Sequence, residues 1–478
     1  MTALTAIRAP APTAPTAPSR RLPLTLSLLA FAQLIIALDY NIVYVALPEV
    51  AGGLGFSDHS LQWVVSAYAV AFGGFLLLGG RACDLLQRRQ VFLAGLALYA
   101  GASLLGGLAV APWMLLVARA VQGLGGALLF PATLSLLNTT FTEGPQRNRA
   151  LSVWGAAGAS GMIIGSLAGG VLTQTFGWRA VFFVNVPLAG LAILAGRRLL
   201  DPVEKPQATR GFDLLGASTA TAGITLAVFA LVQGPEAGWL SPGVVGTATI
   251  GIGLLVAFAV IETRTAEPLM PLRLLADRDL GTGMIVTFLF MATMGTVLYF
   301  LTVYFQQVHG YSALRTGIAF VVPMAATCLG SMRAHRLVTR LGSRSALIVS
   351  LAVAAVGTLL MAVAVAPDGS YGTLVPGLVL FGLGQGTTYT LMFAAATAGV
   401  AAEDQGVASG TASTTQQVGG AVGLAILIGV ASSGTGGATG RALSAAVTDG
   451  IQKALLGVAA GIVVTMAAAL RFRSRGTR

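Results

Sequence analysis

Charge is scarce in this sequence. Only 9% of its 478 residues are Asp, Glu, Lys or Arg, against about 25% in a water-soluble domain, and that excludes an ordinary soluble fold. Histidine and cysteine are scarcer still. His59, His309 and His335 have no metal-ligand spacing. Cys83 and Cys328 give neither a disulfide framework nor a metal site. No ATP-binding motif occurs. Glycine-rich stretches such as QGLGG lie inside apolar runs, where a phosphate-binding loop does not form. The sequence therefore reads as a non-enzyme with no catalytic residues, no metal and no cofactor.

Apolar sequence is abundant instead. Hydrophobic residues make up 55% of the chain, mean hydropathy is +0.82, and 62 glycines supply the small surfaces that let membrane helices approach. Apolar stretches of roughly 20 residues predict fourteen membrane helices. Six are expected at 22–47, 61–80, 91–110, 113–138, 151–172 and 178–198, two at 213–233 and 242–262, and six at 280–306, 313–332, 345–366, 371–399, 406–431 and 451–470. The net charge of +11 is spread over short loops, so it reads as membrane orientation and not as a nucleic-acid surface. With the N-terminus inside, only Arg179, Arg315, Arg441 and Lys453 fall on outer segments, while Arg119 alone lies deep in the membrane. That bias predicts both termini in the cytoplasm.

The expected organisation has five parts. Residues 1–21, rich in Ala, Pro and Thr, form a disordered cytoplasmic tail, and no removed signal peptide is expected. An N-terminal six-helix bundle follows at 22–200, two additional helices and their loops at 201–279, and a C-terminal six-helix bundle at 280–470. A basic tail closes the chain at 471–478. GGRACDLLQRRQ after helix 2 and SMRAHRLVTRLGSR after helix 10 repeat weakly, as expected of an all-α transporter built from two parallel repeats.

Within this apolar background Asp39 stands out, in LDYNIVYVALP of helix 1. A carboxylate in hydrocarbon costs several kcal/mol, so membrane segments keep one mainly for function. Nine residues separate Asp39 from Pro48 at the outer end of helix 1, and six separate Arg119 from Trp113 at the outer end of helix 4. At the helical rise these are depths of roughly 13 Å and 9 Å. The two are expected to pair if their helices are neighbours, either as a proton-exchanging couple or as a structural ion pair. Asp84 follows helix 2 among basic residues, and an arginine or a helix N-terminus across the bundle interface is its expected partner. Gly161, Gly165, Gly169 and Gly170 share one face of helix 5, which suits close packing and also sliding.

These residues carry a resemblance. LDYNIVYVALP, the R-x-x-Q-G-x-G-x-A pattern of Arg119, Gln122, Gly123, Gly125 and Ala127, and the helix-5 glycines resemble the drug:proton antiporter-2 branch of the major facilitator superfamily. So do Gly80, Asp84, Arg88 and Arg89 after helix 2, and Trp178, Arg179, Phe182, Asn185 and Pro187 at helix 6. The resemblance covers almost the whole chain. It departs at Asn41 and Tyr44, at Leu85 and Gln87, and at Ser166, where the family usually has proline. It implies a fourteen-helix major facilitator fold in a bacterial inner membrane. The implied function is export of a drug, antibiotic or similar amphipathic compound in exchange for protons.

Under that reading Asp39 and Arg119 couple protons, Gly80, Asp84, Arg88, Arg89 and the helix-5 glycines gate, and the proton gradient supplies the energy. The partners are protons, membrane lipid and a small organic substrate. The substrate cavity is expected from Tyr40, Asn41, Tyr44, Trp63, Tyr68, Gln122, Tyr299, Tyr304, Gln307, Tyr389 and Gln416. A metabolite symporter or uniporter, and a sensor or channel, are the rival readings.

Overall fold

Runs of apolar residues with no water to satisfy their backbone must bond internally, and the helix does so within one segment. The computed structural model describes residues 21–56, 61, 63–200, 214–265, 278–396, 400–401, 404–432 and 440–471, and no strand occurs among them. The expectations for residues 1–20, for most of the loops around 201–213 and 266–277, for His59 and for residues 472–478 lie outside the described residues.

The N-terminal half contains α1 (Arg21–Leu54), α2 (Trp63–Leu85), α3 (Arg88–Gly107), α4 (Pro112–Thr140), α5 (Pro145–Phe176) and α6 (Ala180–Leu199). Then come α7 (Leu214–Ala237) and α8 (Pro242–Arg264). The C-terminal half contains α9 (Leu280–Val308), α10 (Arg315–Leu341), α11 (Ser343–Ala364), α12 (Tyr371–Ala396), α13 (Gln405–Ser432) and α14 (Gly440–Ala469). Among the described residues thirteen helices are long and apolar enough to cross a membrane, while α7 has only the shorter apolar stretch Leu215–Leu231. Prolines open α4, α5 and α8, where a missing N–H costs nothing. Gly177 and Gly342, both at φ +77°, turn the chain at the ends of α5 and α10.

Several boundaries differ from expectation, and α10 runs on to Leu341 instead of ending at 332. Helix α1 continues past 47 to Leu54. Helix α14 begins at Gly440 instead of 451, and Lys453, assigned to an outer loop, lies on it paired with Asp449 at 2.8 Å. Helix α2 reaches Leu85, so Asp84 sits in a helical turn and Arg81 is buried. Helices outrun the apolar core wherever charged residues can continue the backbone pattern, and hydropathy does not mark such ends. Arg119 is therefore not the only buried base among the described residues, although Arg81 lies near the end of α2 and not deep along it, and Glu262 of α8 is a further buried acid.

The two halves repeat their packing. In the first, α2 and α3 pack on α4 and α1 packs on α5. In the second, α10 and α11 pack on α12 and α9 packs on α13. The pair α7–α8 is peripheral, since α8 packs on α7 and α7 leans on α2 and α13. Two equivalent seams join the bundles, α2 with α13 and α5 with α10. Both are tight near the end that carries Arg81, Arg88 and Arg149, called the basic face below. There the Gly80 backbone meets Gly406 and Gly410, and Gly155 meets Thr390 and Ser331.

Candidate functional site: a buried ion pair in the N-terminal bundle

The site begins with how α1 is held. Gly161, Gly165 and Gly169 of α5 lie against the backbone at Leu34, Leu38 and Ile42 of α1, and a Cβ at Gly161 would come within 2.6 Å of the Leu34 carbonyl. Matching four-residue steps on both helices fix the rotation of α1, and so the direction of Asp39. The glycine row thus faces α1 within its own bundle and not the other bundle. Ser166, in place of the usual proline, donates to the Met162 carbonyl at 3.2 Å, and α5 runs unbroken.

Asp39 is fully buried and accepts three hydrogen bonds from three side chains. Arg119 donates to its Oδ2 at 2.8 Å, Gln122 to its Oδ1 at 2.9 Å and Asn185 to the same Oδ1 at 2.7 Å. Arg119 has other acceptors as well: the Val64 carbonyl at 2.9 Å, Gln122 Oε1 at 2.6 Å and the ring of Tyr68 at 4.5 Å. Gln122 also donates to Ser103 Oγ at 2.8 Å. Side chains or backbone from α1, α2, α3, α4 and α6 therefore meet in one cluster. The pair is neutral as a unit, which is how a buried charge becomes tolerable. If Asp39 takes up a proton, the guanidinium keeps three of its contacts.

An aromatic column leads from this cluster to the other bundle. Tyr68 stacks on Phe72 (5.6 Å), Phe72 meets Phe130 edge-on (6.0 Å), and Phe130 meets Trp154 (5.4 Å). Trp154 stacks on Tyr389 of α12 at 6.1 Å, and Phe393 closes the group. Tyr40, which touches Tyr68 at 6.4 Å, and Tyr44 are 40% and 45% exposed. Below them the basic face is shut. Asp84 accepts the backbone N–H of Gly406 at 2.8 Å and of Val407 at 2.7 Å, the first turn of α13. A carboxylate on a helix N-terminus is favoured by the exposed N–H groups there.

The sequence matches the Major Facilitator Superfamily over residues 29–424. The cephamycin export protein CmcT of Amycolatopsis lactamdurans is 39% identical over 432 residues, covering 89% of this chain and 88% of that one. The puromycin resistance protein pur8 of Streptomyces alboniger is 41% identical over 400 residues, covering 83% and 79%. The chain belongs to the Major Facilitator Superfamily. The human organic anion transporter MFSD10 (TETRAN) shares the fold, with a TM-score of 0.67 over 95% of this chain and 100% of that one at 16% identity. The protein is a transporter and not an enzyme.

Not every expected site residue of this superfamily member lies where the sequence suggested. Gln122 and Tyr68 are buried in the ion-pair cluster instead of lining a cavity, because Gln122 sits one turn from Arg119 on the same face of α4. Trp63 packs against Phe229 of the peripheral α7 at 5.3 Å. Tyr304 is buried, its hydroxyl donating to the Ala366 carbonyl at 2.8 Å, and Gln307 is exposed in a π-helical turn (Tyr304–Val308) at the end of α9. Tyr299 is exposed, and Asn41, Tyr389 and Gln416 are half-buried, the last two within hydrogen-bonding reach of each other. Arg88 donates to Ser135 at 2.9 Å and lies 3.9 Å from Asp84. Arg89 instead caps α6 through the Arg197 carbonyl at 3.0 Å. Gly170 is buried. Sequence reasoning missed Ser103, Trp154 and the role of Asn185, although Asn185 lies in the quoted helix-6 motif.

Proposed function

We propose that this transporter is a proton-coupled antiporter. It exports an antibiotic or similar amphipathic organic compound across a bacterial inner membrane, with both termini and the basic face cytoplasmic. One observation carries the coupling: the buried carboxylate of Asp39 accepts three hydrogen bonds beside a guanidinium that has other acceptors. Proton uptake removes the attraction to Arg119 and costs Gln122 and Asn185 an acceptor at Oδ1. Each of those donors is on a different helix from Asp39, so the proton changes how α1 sits against α4 and α6. Bundle closure at the basic face through Asp84 and α13 suits a resting state accessible from the opposite side.

The proton gradient supplies the energy, and no cofactor enters the cycle. Export as the direction is supported by relatives named for antibiotic export and resistance, including the tetracenomycin C resistance and export protein of Streptomyces glaucescens (31% identical over 84% of this chain). The accessible aromatic and amide groups, Tyr40, Asn41, Tyr44, Tyr299, Tyr389 and Gln416, suit a neutral or singly charged aromatic compound.

Everted membrane vesicles energised to be acid inside test this. With puromycin, lincomycin and cephamycin as probes, at least one compound accumulates in the vesicles and its addition dissipates the pH gradient, while Asp39→Asn does neither. Uptake that proceeds with protons moving in the same direction as substrate would make the protein a symporter and end the proposal.

A further inference from the structure

A cavity of about 530 Å³ lies between the bundles at the basic face, apart from the ion pair and the aromatic column. Arg149 and Val153 of α5 line one side, and Met332, His335 and Arg336 of α10 the other. The lining contains no acid. Among the described residues none of the three basic side chains has a carboxylate partner, whereas neighbouring Arg147 lies 3.9 Å from Glu143. The α5–α10 seam therefore brings two exposed arginines and the half-buried His335 from opposite bundles to the rim of one open, mostly apolar space. The like charges of the two arginines have no acid in the lining to offset them. The Nδ1 of His335 is buried without a hydrogen-bond partner, and the first turn of α5, opened by Gly144 and Pro145, adds its positive end.

Such a set of donors fits an anion with several acceptor oxygens. We infer that this cavity binds a phosphate-type anion that ties α5 to α10 while the basic face is closed, and that the occupant is the phosphodiester headgroup of an anionic membrane lipid. Val153 and the half-exposed Met332 form apolar walls beside the cationic groups. That suits a headgroup with the start of its acyl chains, and clusters of Lys and Arg at a membrane surface attract anionic lipids.

The test is the melting temperature of the full chain purified in detergent, a readout that needs no transport, so its failure is separate from failure of the antiport reading. Phosphatidylglycerol raises Tm of the wild type by several degrees, and phosphatidylcholine does not. The increase falls by at least half in Arg149→Gln/Arg336→Gln and persists in Arg340→Gln, an exposed base of the same helix outside the cavity. Arg149→Glu places a carboxylate opposite Arg336. It raises Tm in the absence of lipid and abolishes the response to phosphatidylglycerol, a result that simple loss of structure does not give. An equal increase with inorganic phosphate would overturn the lipid assignment and leave the anion site. A full phosphatidylglycerol response in both variants would overturn the site itself.

Discussion

The two six-helix bundles are built alike and charged differently. In the N-terminal bundle glycines of α5 seat the backbone of α1, and in the C-terminal bundle Gly419 and Gly423 of α13 seat α9 at Phe288 and Ala292 in the same way. The polar interiors diverge. Around α4 lies the cluster of Asp39, Arg119, Gln122 and Asn185, whereas the groups around α12 are neutral: Ser350 of α11 with Thr388 at 2.9 Å, and Gln385 to the Met294 carbonyl at 3.3 Å. Under the antiport reading proposed above, shared packing with unshared charge makes the repeat the rocking frame and assigns proton coupling to the N-terminal bundle.

The largest expected effect comes from breaking that asymmetry. Asp39→Asn abolishes proton-coupled transport while the protein still folds, whereas Gln385→Ala in the other bundle leaves coupling measurable. Arg119→Gln strands a buried carboxylate and lowers stability by about 3–5 kcal/mol, the usual loss when one partner of a buried pair is removed. Thermal denaturation of the Asp39→Asn/Arg119→Gln double variant should return a large part of that loss. Full additivity of the two single changes would contradict a coupled pair.

Next come the features the bundles share. Gly165→Ala and Gly423→Ala each force a methyl against a facing backbone and cost about 1–3 kcal/mol. Comparable losses in the two would sharpen the claim of equivalent frames, and a loss confined to one would break it. Asn185→Ala removes one donor to Asp39 and slows proton-linked transport several-fold, measured at saturating substrate, with substrate affinity little changed. The smallest effect is at Tyr304→Phe, which loses the hydroxyl's bond to the Ala366 carbonyl, worth about 0.5–1.5 kcal/mol, and the longer contact it accepts from the Ala366 N–H at 3.3 Å. It shows only as a modest fall in thermal stability, with coupling intact.

The sequence made the helices legible because apolar runs of membrane length have few alternatives. It made the Asp39–Arg119 pair legible because the helical rise converts residue counts into depth. Facing was harder to read. Trp63 and Tyr304 have the composition of cavity residues, yet one rests on α7 and the other on the turn at Ala366, and only the neighbouring helices decide that. Gln122 was recognised by its motif but assigned to substrate, since nothing local says that α1 stands within reach of it. The partner of Asp84 is more than 300 residues away in the chain, so the expectation of a helix N-terminus needed the fold to supply α13. Trp154 gave no signal, because an isolated tryptophan in a glycine-rich helix looks like packing until Tyr389 of the other bundle stacks on it.

The central claim is tested most directly by proton release on substrate binding, followed with a pH-sensitive dye in weakly buffered detergent solution, using a compound from the vesicle panel. Wild type and Gln385→Ala should both acidify the solution on binding, and Asp39→Asn should bind without acidification. Release from Asp39→Asn equal to that of the wild type would place the coupled proton elsewhere and contradict the account.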